Sequence, residues 1–177
     1  MAVEPRIVEV SRQGAFAASM RHAATLRAQG LNLIYLSVSR PVEEVRAQLG
    51  DGAAMHVVDA TGSRGHGVAF GPDVFYVDSP VKLEKMAMVL RRLVTRHDRP
   101  YVVVDSLNGI LDYNGVPATL EFAHFLCNQA TGGGVPIDLV VHDDEAGRRL
   151  MARVRQFADA HVRVATKDKE EEQEARP

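Results

Sequence analysis

The sequence predicts an α/β domain of three layers, a mostly parallel sheet flanked by helices. Three observations carry that prediction. Short apolar runs alternate with amphipathic stretches along the 177-residue chain. Successive runs are separated by lengths that suit helical crossovers, which parallel strands require. Two runs, Val102 to Val104 and Leu139 to Val141, are apolar without interruption, as strands buried on both faces are.

The elements follow in order. Arg6 to Val10 reads as the first strand. Residues 15–29 read as a helix, with Phe16, Met20, Ala23 and Ala24 at helical spacing and Gly30 as the stop. Leu31 to Val38 is a strand rich in β-formers. Ser39 is placed to cap the next helix, whose face is Val42, Val45 and Leu49. Met55 to Ala60 is a third strand, residues 61–72 a glycine-rich loop, and Val74 to Val77 a short strand. Ser79-Pro80 offers an N-cap and first-turn pair for a helix reaching about Arg96. Tyr101 to Asp105 is the most apolar strand. A helix is expected from about Pro117 to Ala130, broken by Gly132-Gly133-Gly134. Ile137 to His142 is a strand, Glu145 to Ala160 a helix, and His161 to Val164 a last strand. Residues 1–166 form the domain; 167–177, an acidic run, read as a disordered tail or a helical extension.

Composition excludes several classes of function. Lysine plus arginine total 21 and aspartate plus glutamate 23, a net charge of -2 that leaves no broad basic surface for nucleic acid. The longest apolar runs are too short to cross a membrane. Cys127 is the single cysteine, which rules out an internal disulfide and a cysteine-rich zinc site. A cytoplasmic location is expected.

In an open parallel sheet, ligands bind at the carboxyl ends of the strands. Asp105 stands there after four strand residues, the pattern of a Walker B segment whose carboxylate holds Mg²⁺ beside nucleotide phosphates. The loop after the first strand decides whether phosphates have a place. A phosphate loop needs glycines, a lysine and a serine or threonine at fixed spacing. Ser11 to Met20 holds one glycine, Gly14, and no lysine; the first lysine of the chain is Lys82. Arg12, Gly14, Asp105 and Ser106 are therefore the candidate nucleotide-binding residues of an altered site. No catalytic residue is expected, and no metal unless Asp105 holds Mg²⁺. The Gly-rich stretch from Thr61 to Gly67 lacks a helix directly behind it and reads as a surface loop. His142-Asp143-Asp144-Glu145 reads as a helix start, with Asp143 or Asp144 as the cap. Ser106 with His142 is the one pair that would suit a hydrolase.

The stretch from Leu33 to Val45, the segment Val102 to Leu111 with Asp105, and Asn114-Gly115 followed by Leu120, Phe122, Phe125 and Leu126 resemble the KaiC and RadA branch of RecA-like ATPases. The resemblance spans roughly residues 6 to 165. It implies a RecA-like fold, with Asp105 at the Walker B aspartate. The Walker A glycines, lysine and threonine have no counterpart between Ser11 and Ser19. The chain thus resembles relatives whose ATPase motifs have decayed. The expectation is a non-catalytic regulatory or protein-interaction module, with no cofactor, paired with a protein partner or a second copy, and without a deep polar pocket at the strand tips. The alternatives are a degenerate nucleotide binder using Mg-ATP, and a small-ligand sensor or hydrolase.

Overall fold

The computed structural model describes residues 5–50, 55–63, 68–70, 73–158 and 160–164. The acidic tail and half of the Gly-rich loop, residues 64–67 and 71–72, lie outside these. The elements are β1 (Arg6–Val10), α1 (Ala15–Ala28), β2 (Asn32–Ser37), α2 (Val42–Leu49), β3 (Met55–Asp59), β4 (Val68–Phe70), β5 (Val74–Val77), α3 (Leu83–Val94), β6 (Pro100–Asp105), α4 (Leu107–Gly133), β7 (Ile137–His142), α5 (Glu145–Val154) and β8 (Ala160–Val164). The strands form one sheet in the order β4-β5-β3-β2-β6-β7-β1-β8. All pairs are parallel except β4 with β5.

Alternation along each strand explains the apolar runs. Ile34 and Leu36 of β2, Val102 and Val104 of β6, and Leu139 and Val141 of β7 face α3, α4 and α5. Leu33 and Tyr35, Tyr101 and Val103, and Val140 face α1 and α2. Both faces are covered, so both sets of side chains leave water.

Several boundaries differ from the sequence expectation. β4 lies inside the stretch expected to be loop throughout and adds an antiparallel edge strand. α3 begins at Leu83 rather than at Pro80. Ser79 instead makes a turn, accepting from the Val81 N–H at 3.3 Å. α4 starts ten residues before Pro117, at Leu107. It is kinked at Gly115 (φ 72°, ψ 172°), two residues before Pro117, which is why the segment reads as broken. α5 stops at Val154.

One polar cluster is buried at the amino ends of the strands. Asp138 of β7 is wholly buried. It accepts from Arg6 Nε at 2.8 Å, Arg6 Nη2 at 2.9 Å and the Tyr101 hydroxyl at 3.0 Å. Its other partner is His22 of α1, at 2.6 Å. Burial works against the charge, but the hydrogen bonds from His22 and Arg6 outweigh it and hold the Asp138 carboxyl below its usual range. A lowered folded pKa adds stability that is complete above the unfolded value of about 4 and is lost as pH falls through the folded one. Asp138→Asn is expected to cost about 3 kcal/mol at neutral pH and to flatten the acid limb of the stability curve. Urea denaturation across acid pH measures both.

Candidate functional site

β1 and β2 lead into α1 and α2 on one face, while the adjacent β7 and β6 lead into α5 and α4 on the other. Chain directions diverge at these strand tips, and a crevice opens between them. It encloses about 520 Å³, and Arg12, Gly14, Phe16, Arg40, Asp105, Ser106, Asp112, His142 and Asp144 line it among others. All four nucleotide-binding candidates thus face one cleft. The expectation of strand tips without a polar pocket is not met.

Two glycines pack tightly against residues of the strand tips. A Cβ on Gly147 would lie 1.9 Å from the His142 carbonyl oxygen, and one on Gly109 would lie 2.5 Å from Ser39 Oγ and 2.6 Å from Val38 Cγ2. The amino ends of α5 and α4 therefore press directly onto the strand tips. Neither glycine stands out in the sequence, because neither ends an element nor belongs to a phosphate-loop pattern.

Most polar groups at the tips have structural partners. Ser106 is 1% exposed, and its hydroxyl accepts from the Gly109 N–H at 3.2 Å, capping α4. The Asp105–Ser106 peptide is cis. Asp144 caps α5, accepting from the Gly147 N–H at 2.7 Å and from Asn108 at 3.2 Å. Asn108 in turn accepts from the His142 N–H at 2.9 Å. Ser39 does not cap α2. Pro41 occupies that position, and Asp59 at the tip of β3 accepts from the Val42 N–H at 2.9 Å instead. Arg12 is exposed and lies 3.8 Å from Asp144, an ion pair of small energetic weight. Arg40 stacks over the Phe16 ring at 5.3 Å.

Asp105 accepts a hydrogen bond from the Tyr35 hydroxyl. Burial pushes its carboxyl above the usual range. Tyr35, His142, Ser19 and Arg40 favour the carboxylate but do not offset the desolvation. Ser19 Oγ, buried on α1, is close enough to contribute yet makes no hydrogen bond of normal geometry.

The connection between β1 and α1 departs from the phosphate-loop pattern. The connection from β1 to α1 is residues 11–14, half the length of a phosphate loop of about eight residues. Gly14 closes it in a left-handed conformation (φ 75°) as the N-cap of α1, and Phe16 follows in the first turn. Asp105 is turned to Tyr35. Among the described residues, no three His, Cys, Asp or Glu side chains converge in a way that would hold a metal ion.

No protein-family model matches the chain, and no curated protein matches it in sequence. Solved structures do match. A KaiC-like protein from the hyperthermophilic archaeon Pyrococcus horikoshii superimposes with a TM-score of 0.63 at 11% identity, over 92% of this chain and 71% of that one. The chain has a KaiC-like fold. An uncharacterised protein from the same organism, solved in complex with an unknown peptide, gives a TM-score of 0.63 at 15% identity, over 92% of this chain and 78% of that one. The RecA-like architecture implied by the Asp105 segment is therefore that of the structure. Among the described residues, no helix is long and apolar enough to cross a membrane.

A carboxylate desolvated against its preference costs stability. With the Asp105 pKa raised in the fold, stability declines as pH rises from the unfolded value through the folded one, the opposite sign to Asp138. Asp105→Asn keeps an acceptor for Tyr35 and removes the charge. It is expected to raise Tm at neutral pH by a few degrees, at about 2–4 °C per kcal/mol, and calorimetry checks this. Gly147→Ala is expected to cost more than about 3 kcal/mol, the upper end for overpacking, because the atom it meets is a backbone carbonyl.

Proposed function

We propose that the chain is a non-catalytic KaiC-fold domain that acts as a regulatory or protein-interaction module. The observation that carries this reading is the four-residue connection between β1 and α1, which is too short to wrap phosphates. The engagement of Asp105 by Tyr35 and of Ser106 as the α4 cap supports it. The partner is a protein segment or a second copy of the chain. The peptide complex of the Pyrococcus horikoshii structural neighbour is in keeping with a fold used for binding.

The cleft itself favours a second reading, a degenerate nucleotide binder. Arg12 and the backbone at Gly14 stand opposite Asp105 and Ser106 around about 520 Å³. That reading needs Arg12 to replace the missing lysine. No observation favours a Ser106 hydrolase, because the Ser106 hydroxyl is buried and serves α4.

One titration separates the two. At about 100 times its Kd, a ligand that binds only the folded state stabilises by about 2.7 kcal/mol, several degrees in Tm. The expected result with Mg-ATP, Mg-ADP, GTP or a cyclic dinucleotide at about 1 mM is no shift, and no phosphate release. A shift abolished by Arg12→Ala would replace the first reading with the second.

A further inference from the structure

A second concavity lies at the other end of the strands. Pro100 begins β6 and Ile137 begins β7, and both line a groove of about 400 Å³ between α3 and α4. α4 packs against α5 and diverges from α3, so the groove reaches down to the sheet at Val102 and Ile137. Its walls are apolar: Leu90 and Val94 from α3, Phe125 and Leu126 from α4. Phe125 is 38% exposed, and Met88, on the adjoining outer surface of α3, is 54% exposed. Such clustering of apolar surface, rather than scatter, marks an interaction site.

The rim is charged in one sense. Arg91 of α3 borders both the groove and its outer extension, and among the described residues no acidic side chain lines either. The acid of α4 nearest Phe125, Glu121, lies on the flank facing α5, beside Arg153. A two-fold pairing of two copies here would set like arginines against each other. The chain's own tail, 167–177, is acidic, and Ala175 and Pro177 are its only apolar side chains, too little to fill the floor.

We infer that the groove between α3 and α4 docks an amphipathic helical segment of a partner protein, with apolar anchors on one face and acidic residues on its flanks. Walls made by two helices suit the helix-in-groove mode, in which residues at i, i+3, i+4 and i+7 insert. Charge on the rim selects the partner, and the apolar floor holds it. This deepens the interaction-module reading and rests on it.

The test uses the full chain and two peptides of about 15 residues. Both carry leucines at helical spacing on one face; one has glutamates on its flanks, the other lysines. Methyl NMR reports on Met88, Leu90 and Leu126, and fluorescence anisotropy gives the affinities. The acidic peptide should saturate, shift those signals and bind at least about tenfold more tightly than the basic one. Phe125→Ser should abolish binding with the fold intact by circular dichroism, and Arg91→Glu should reverse the charge preference. Silence of the groove signals with both peptides, or equal affinity for both, would overturn the inference. A dimer in sedimentation that buries Phe125 would assign the groove to a second copy instead. An affinity that rises when Glu170, Glu171, Glu172 and Glu174 are changed to Gln would assign it to the tail. Nucleotide turnover by the same sample would refute the non-catalytic reading alone, whereas a silent groove without turnover would refute only the groove.

Discussion

The structure depends on how the strand tips satisfy the helices that follow them. A parallel sheet delivers its carboxyl ends, and the amino ends of the helices behind them, to one edge of the molecule. Those helix starts leave unpaired N–H groups. In this chain the tip residues supply the acceptors. Asp59 serves α2, Ser106 serves α4 and Asp144 serves α5. Gly109 and Gly147 allow the last two helices to come close enough for this to work. Of the four candidate nucleotide-binding residues, Asp105 and Ser106 are engaged by the fold itself.

The two faces of the sheet are unequal in kind. The face under α3, α4 and α5 is apolar through its centre. The face under α1 carries polar groups, buried or half-buried, at both ends: Ser19, Tyr35 and Asp105 at the tips, and Arg6, His22, Tyr101 and Asp138 at the base. The basal group is fully paired, and its carboxylate is favoured. The group at the tips is under-paired, and its carboxyl is raised above its usual range. Burial of this kind is common at functional sites. Here it sits behind a connection with neither the length nor the lysine of a phosphate loop. The groove at the base, by contrast, is walled by side chains with no role in capping. The apolar groove between α3 and α4 thus lies at the opposite end of the strands from the polar cleft.

Much of the fold was legible in the sequence, because strand identity rests on local apolar runs. Val102 to Val104 and Leu139 to Val141 fall in β6 and β7, and Asp144 caps α5 by a local rule. What was not legible depends on distance. Asp59 caps a helix that begins 17 residues earlier in the chain, so Ser39, the nearer residue of the right type, was the natural and incorrect choice. β4 lies in a Gly-rich stretch where three residues give too little periodicity to mark a strand. The first turns of α4 were hidden by Gly109, Gly115 and Pro117, residues that locally argue against helix. The candidates Arg12, Gly14, Asp105 and Ser106 do meet at one cleft. Tyr35, which engages Asp105, was hidden because a tyrosine inside an apolar strand reads as core.

Under the proposed function, Asp105 is a half-buried, Tyr35-bonded carboxyl that serves the fold rather than a metal ion. An NMR titration of the Asp105 carboxyl carbon, with and without Mg²⁺ and ATP, tests it most directly. The expected midpoint lies above the ordinary value of about 4, and neither Mg²⁺ nor nucleotide moves it. A midpoint at or below that value, or one driven down by Mg²⁺, would contradict it.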